Sequence, residues 1–328
     1  MAPATSHPSA SAETPPASTS KPAPASASAS ASASTASSWI TAPQFIVRLF
    51  TRFPLATFEP NALPCNTPAV SDTHASLFVF AEAPNRLSYN PTCLKWQAYL
   101  RFARFDYVSL PSTNHASPSG SLPFLLPADT RVAVPCTDPA TLPLPMPSAP
   151  PPPPPRSTTY AALLDASLRP AWLHALYLAP ANTPLLRQLY IAPVSASSGV
   201  QTASLRGLRR AAASAVAAAA ATGPSALSSA VAAAALQADA LYADARAALA
   251  ALEAELARST SGWFFDALRP TAFDAAVFAY VHLLLDESLV WGDDTLPCAV
   301  ASFMRLVAHR DRVLDEYWPG EERRALQG

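Results

Sequence analysis

An unbroken run of prolines, Pro150–Pro155, divides this chain. Each proline fixes its own φ and lacks an amide proton, so neither a helix nor a sheet strand continues through the run. The two sides must therefore build their elements separately, and they read differently. Before the run, short apolar strands flank one helix. After it, from Thr159 onward, every periodic segment is helical. The length of 328 residues allows about two compact domains.

Charge narrows the function. Lys and Arg number 22 against 23 Asp and Glu, a net charge of −1. That balance argues against nucleic acid as a partner, which needs a basic face to neutralise phosphates. Charged residues make up only 14% of the chain, about half the usual share, so the surface is poorly defended against association. A coding bias toward Ala and Pro accounts for this, or a partner or membrane surface does; composition does not separate the two. Cys65, Cys93, Cys136 and Cys298 are far apart and form no C-x-x-C pair. Neither a redox pair nor a zinc ribbon is signalled, and a reducing compartment is expected. No metal or cofactor is expected. The apolar run Ala275–Leu285 contains His282 and falls well short of the roughly 20 residues that span a bilayer. Residues 1–38 lack both an apolar core and arginine, so neither a secretory signal nor a matrix-targeting peptide is expected there.

Five segments follow. Residues 1–38 are Ser, Ala, Pro and Thr, too poor in apolar groups to offset chain entropy, and read as a disordered tail. Residues 39–74 form a Pro-broken aromatic segment, with a turn or two of helix at 43–52. Its Trp39, Phe45, Phe50, Phe53 and Phe58 exceed what a loop needs, so they pack on something: the chain's own domain, or a partner and the bilayer interface. Residues 75–140 read as β–α–β–turn–Pro–β–β. Leu77–Phe80 is apolar on both faces, as a central strand is. Asn90 and Pro91 are a helix N-cap and N1. Tyr107–Leu110 is a parallel partner, Leu122-Pro123 opens a third strand, and 131–134 a fourth. Residues 141–157 are a Pro-rich linker, read as a stiff spacer rather than an SH3 or WW ligand. Residues 158–320 are helical. Pro170 and Pro184 restart helices, Ser204–Ala220 carries Arg206, Arg209 and Arg210 as a solvated basic face, and Ala226–Arg258 is one long helix. Thr271-x-x-Asp274 is a capping box, and a last helix runs over 299–317.

This order resembles the glutathione S-transferases. It implies an α/β thioredoxin-like N-terminal domain followed by an all-α C-terminal domain, a cis-proline at Pro123 and the capping box at Thr271 and Asp274. The stretches Asn90–Leu100, Ser117–Phe124, Trp263–Phe265 and Arg269–Tyr280 resemble one branch, the metaxins and related subunits of the mitochondrial outer-membrane sorting and assembly machinery. Cys93, Ser117, Gly120, Pro123, Thr271 and Asp274 take structural places in that family's motifs. The resemblance implies a non-enzymatic subunit, peripheral on the cytosolic face of the outer membrane. Its implied partners are the central β-barrel insertase, a second metaxin-like subunit and the C-terminal β-signal of β-barrel precursors. Strand pairing at a free sheet edge is a route to that signal.

The alternative is a divergent glutathione S-transferase. Ser88, Tyr89, Thr92 and Cys93 are the available hydroxyls and thiol near the first strand, and the helix terminus would lower the Cys93 pKa. The simpler reading makes Cys93 a small core residue. Active enzymes carry a Glu/Gln-Ser pair opening the next helix. Here Val134 is followed by Pro-Cys-Thr-Asp-Pro and then the prolines, so the glutathione site is read as lost. Tyr89, Trp96 and Tyr99 could line the vacated cleft, with helix-core packing the preferred reading for the last two, and His282 is expected to be a satisfied core histidine.

Overall fold

The computed structural model describes residues 73–129, 132–139, 142, 147–152, 154–222 and 233–319. The tail expected over 1–38 lies outside the described residues, as does the aromatic segment apart from its last two positions.

Strand β1 (Ala75–Val79) is buried along its length, as a strand with apolar groups on both faces must be. β2 (Tyr107–Pro111) pairs with it in parallel, with Leu77 opposite Ser109. β3 (Phe124–Leu126) pairs antiparallel on the other side, with Leu77 opposite Leu125. β4 (Val134–Pro135) completes the order β2-β1-β3-β4. The fourth strand, expected at 131–134, begins at Val134 and is two residues long; just past it Cys136 N still donates to Pro123 O at 3.2 Å, but Pro123 has no amide to donate back. Helix α1 (Pro91–Phe102) is the crossover from β1 to β2. Asn90 Oδ1 accepts from the amides of Thr92 (3.0 Å) and Cys93 (3.2 Å), with Pro91 in the first turn. The helix is buried nearly all round, not along one stripe, because the sheet covers one side and the helical half the other.

That half starts with α2 (Ser157–Leu163) and α3 (Arg169–Leu173), joined by a π-turn over Leu164–Leu168 and followed by another over His174–Leu178. Pro170 does not restart a helix, as the sequence reading had it; it sits inside one rod. The Arg169 amide reaches back to Leu164 O, a wider turn directly before the proline. After α4 (Thr183–Leu186) come α5 (Ser198–Thr222) and α6 (Ala233–Arg258), then α7 (Ala272–Leu285), α8 (Thr295–Ala301) and α9 (Met304–Tyr317). α5 begins earlier than expected. The single helix expected over 299–317 is two, parted at Phe303 (φ −96°, ψ 86°). The cap on α9 comes from another helix: the Glu253 carboxylate of α6 accepts from the amides of Arg305 and Leu306, each at 3.0 Å.

α1 packs along α7, the broadest helix contact between the halves. Phe102 meets Tyr317 (ring centroids 4.7 Å apart), and the Arg101 guanidinium lies over Trp318. A second tie lies inside the helical half. Asn182 is fully buried; it donates to Ala175 O (2.8 Å) and accepts from the amides of Gly292 and Asp293 (2.8 Å each). Gly292 fits because a Cβ there would stand 2.3 Å from Ala181 O.

The capping box is formed as expected, and it does more than start α7. Asp274 is 0% exposed. Its Oδ2 accepts from Thr271 N (2.8 Å) and Thr271 Oγ1 (2.7 Å). Its Oδ1 accepts from Phe264 N (3.0 Å) and meets His309 Nε2 at 3.1 Å. A carboxylate only accepts, so that imidazole nitrogen carries the proton. Cap, preceding turn and α9 therefore share one buried carboxylate. Asp274→Ala leaves those donors without an acceptor and is expected to cost about 3–5 kcal/mol. Urea unfolding followed by circular dichroism measures this, with Asp239→Asn on an exposed part of α6 changing stability by less than about 0.5 kcal/mol.

Candidate functional site

The loop from Phe80 to Asn90 and the helix start after it carry the hydroxyls and the thiol nearest the end of β1. Ser88 is 1% exposed. Its hydroxyl donates to Phe80 O at 2.5 Å and accepts from Asn90 N at 3.1 Å, while its amide donates to Gln97 Oε1 at 2.8 Å. The hydroxyl proton is committed to the backbone. Tyr89 joins Phe80, Tyr177 and Tyr190 in an aromatic cluster, with centroids 5.1–6.2 Å apart. Asn90 Nδ2 holds Tyr190 OH at 3.1 Å. Burial, followed by neighbouring acidic groups, pushes Tyr89 up to about 12. Cys93 is 0% exposed, and burial pushes its thiol up to about 12 against the hydrogen bonds that lower it. At this N-terminus desolvation outweighs the helix end, which corrects the expectation of a lowered thiol. Cys136, just past β4, is raised to about 12 by burial as well. Trp96 and Tyr99 are core residues stacked edge-on at 5.5 Å, not a cleft lining.

On the far side of the sheet, Gly120 (φ +74°) turns the chain, and its amide donates to Ser117 O at 3.0 Å. Only glycine adopts that backbone without strain. Ser117 is buried, with its hydroxyl 3.0 Å from that of Ser119. The Leu122–Pro123 peptide is cis, and Leu122 N donates to Asn114 Oδ1 at 3.0 Å, so this amide is already used. After β4 the described residues form no α-helix before α2. Part of the proline-rich linker is clamped instead: Ser148 N donates to Ala103 O, and Arg269 Nη2 donates to the carbonyls of Ser148 (2.8 Å) and Ala149 (3.1 Å).

The sheet edge is guarded at β2. Asn85 (φ +59°) donates its amide to Ser109 O at 2.8 Å and accepts from Ser109 N at 3.0 Å through Oδ1. It meets Ser109 as a neighbouring strand would, and Gln97 Nε2 ties the loop down through Arg86 O and Ser109 Oγ (2.9 Å each). Strand pairing at the centre of this edge would require the loop to leave. Arg209 is not part of a solvated basic face: it donates to Tyr177 O (3.1 Å) and Thr183 Oγ1 (2.6 Å). Arg206 and Arg210 are exposed. Trp39, Phe45, Phe50, Phe53 and Phe58 lie outside the described residues.

What the sequence did not disclose is a cleft of about 720 Å³ on the other face of the same loop. Glu82, Arg86, Leu87, Ser88 and Tyr89 line one wall; Leu189, Leu289, Asp286, Glu287, His282 and Arg310 are among the residues facing them. His282 is buried as expected, 6% exposed, but not the satisfied core histidine expected: among the described residues only its Nδ1 is hydrogen-bonded. Arg310 Nε donates to its Nδ1 at 3.4 Å. Burial, then the Arg310 charge, push it down to about 4.

The glutathione S-transferase N-terminal domain model matches residues 91–182, and the C-terminal domain model matches residues 245–313. The chain has a glutathione S-transferase-like fold. Similar solved structures include the β-etherase LigF from Sphingobium sp. strain SYK-6, at 14% identity over 77% of this chain and 99% of that one (TM-score 0.43). Glutathione transferase GSTFuA3 from Phanerochaete chrysosporium is 13% identical over 71% and 97% (TM-score 0.41). A glutathione S-transferase from Rhodospirillum rubrum is 17% identical over 74% and 92% (TM-score 0.35). No curated protein matches the chain. Among the described residues, no helix of this transferase-like fold is long and apolar enough to cross a membrane.

Two predictions follow from the buried groups. Ellman titration of the native chain modifies Cys298, which is exposed, while Cys93 and Cys136 react only after unfolding. Peptide mapping after alkylation identifies them. His282 binds a proton in the unfolded chain near its usual 6.5 but in the folded chain only near 4. Stability is therefore lost as pH falls through that window, by about 3 kcal/mol at about 1.4 kcal/mol per unit. The unfolding free energies from urea titrations at pH 7 and pH 4 are expected to differ by about that much less for His282→Gln than for the native chain.

Proposed function

We propose that this protein is a non-enzymatic, metaxin-like subunit of the mitochondrial outer-membrane sorting and assembly machinery. It acts at the cytosolic face as a peripheral scaffold and receptor, comparable to the fungal 35-kDa subunit that its Leu49–Pro64 segment resembles. Its partners in this reading are the β-barrel insertase, a second metaxin-like subunit and the β-signals of precursors.

The supporting observation is the state of the thiol-handling groups. Ser88 Oγ donates to a backbone carbonyl, Tyr89 is packed among aromatics, and Cys93 is a protonated core thiol. A transferase needs a donor poised to stabilise a thiolate; the Ser88 hydroxyl and the Cys93 thiol are not presented to one, and burial keeps the Tyr89 hydroxyl a weak acid. Among the described residues, a linker clamped at Ser148 and no α-helix joins β4 to α2, so no α-helix N-terminus there is offered to a γ-glutamyl group. The fold is thereby left as a binding platform.

A second reading, a divergent glutathione S-transferase, is favoured by the two domain matches and by the open cleft beside Tyr89. One pair of experiments separates them. A tagged copy is purified from detergent-solubilised mitochondria and its companions identified by mass spectrometry, with an alkaline-carbonate wash alongside. Co-purification of the barrel insertase, with the chain released by carbonate, is the expected result. Retention on glutathione-agarose with conjugating activity, and no insertase, would overturn it in favour of the enzyme.

A further inference from the structure

The cleft beside the Phe80–Asn90 loop touches Ser88 and Tyr89 at one wall and extends away from them between the helices, and its charges are out of balance. Among the described residues no Lys or Arg nitrogen lies within 4.0 Å of the carboxylates of Glu82, Asp286 or Glu287; Asp286 has only His282 Nε2, at 3.9 Å. Of the two arginines in the walls, Arg310 is already bridged to Asp311 at 2.9 Å. Arg86 alone remains to set against three carboxylates. In a chain with so few charges, this is an uncompensated acidic rim around a leucine-lined cavity.

The floor adds a directed donor. Arg310 holds Nδ1 of His282, so the neutral ring carries its proton on Nε2. No hydrogen bond is formed at that nitrogen among the described residues, and the Asp286 carboxylate lies 3.9 Å from it. The side chain is nearly fully buried and lines the cleft. A ligand that fits must bring a hydrogen-bond acceptor to the floor, apolar groups to Leu189 and Leu289, and positive charge to the rim. A backbone carbonyl, aliphatic side chains and an Arg or Lys meet the three demands together.

We propose that this cleft binds a short basic, apolar segment of a partner protein, with its cationic side chains at Glu82, Asp286 and Glu287 and a main-chain carbonyl at His282. The cavity of about 720 Å³ holds a few residues, so the segment is a short linear motif rather than a folded domain. The inference does not rest on the assembly reading; a transferase with the same cleft would bind the same peptide.

The test uses the full chain and a fluorescein-labelled hexapeptide of sequence LRLLRL, read by anisotropy. Three comparison peptides replace both arginines by glutamate, both by glutamine, or all leucines by serine. Saturable binding of the basic, apolar peptide is expected, about tenfold weaker binding of the glutamine version, and none of the glutamate or serine versions. Glu82→Gln with Glu287→Gln weakens it about tenfold, as two exposed ion pairs worth a few-fold each give. Arg86→Gln, by removing the opposing charge, tightens it two- to threefold, about one such pair. Asp239→Asn on α6 leaves it unchanged. Equal binding of the glutamate peptide, no binding of the basic one, or loss with Asp239→Asn as large as with the Glu82/Glu287 pair would each overturn the proposal. The same affinity in the paired variant with intact unfolding behaviour would do so as well.

Discussion

A carboxylate that water never reaches holds the helical half in register. Asp274 starts α7, fixes the turn that carries Phe264, and takes a proton-bearing nitrogen from α9. Bare burial of that charge would cost several kcal/mol, so the site holds only with all its donors in place. The preceding turn shows how much is arranged around it. Phe265 (φ +62°) and Asp266 (φ +56°) are successive left-handed residues without being glycine, each disfavoured by about 1–2 kcal/mol. Asp266 Oδ1 offsets this locally by accepting from Thr260 N, Thr260 Oγ1 and Ser261 N. The turn in turn seats Trp263, Phe264 and Phe265 against Tyr160, Phe273 and His309. Since α7 is also the helix on which α1 rests, the thioredoxin-like half takes its seat from the same node.

What the sequence disclosed of this fold was local. Asn90-Pro91 and Thr271-x-x-Asp274 announce helix starts because a cap is made by residues two or three apart, and both formed. Leu77–Phe80 announced a central strand because apolar groups on both faces leave no other place for it. What stayed hidden was made by residues far apart in the chain. Glu253 caps α9 across more than fifty positions, so the break at Phe303 has no signature near Phe303. Asn182 finds Gly292 and Asp293 in the same way. The π-turn before Pro170 is a third case: a proline in a helical pattern predicts a break, and only packing on both sides of the rod decides that a wider turn is cheaper.

The candidate site divides along the same line. The residue types near Ser88 were legible, and so was the simpler reading of Cys93 as core. Their protonation was not, because a helix terminus and a buried environment push a thiol in opposite directions, and the sequence carries no measure of depth. At 0% exposure the environment prevails. Asn85 was equally silent. Nothing in Pro-Asn-Arg announces a left-handed residue whose amide and side chain together close a sheet edge.

That edge bears on how a receptor built on this sheet takes hold of an extended chain. Strand addition needs a run of outward-facing amides and carbonyls. On β2 the central pair belongs to Asn85, and Pro111 has no amide to offer. On the opposite side β4 is two residues long and one of them is Pro135. Recognition by backbone pairing would have to dislodge a loop held by Asn85, by Gln97 and by the Ser88 hydrogen bonds. Recognition by side chains needs no such opening. The same loop, in its closed position, is one wall of the acidic, leucine-lined cleft, so closing the edge and forming the cleft are one structural act. A partner segment that enters the cleft meets a surface already built, and the ordering of the loop has been met by its bonds to β2 before the partner arrives.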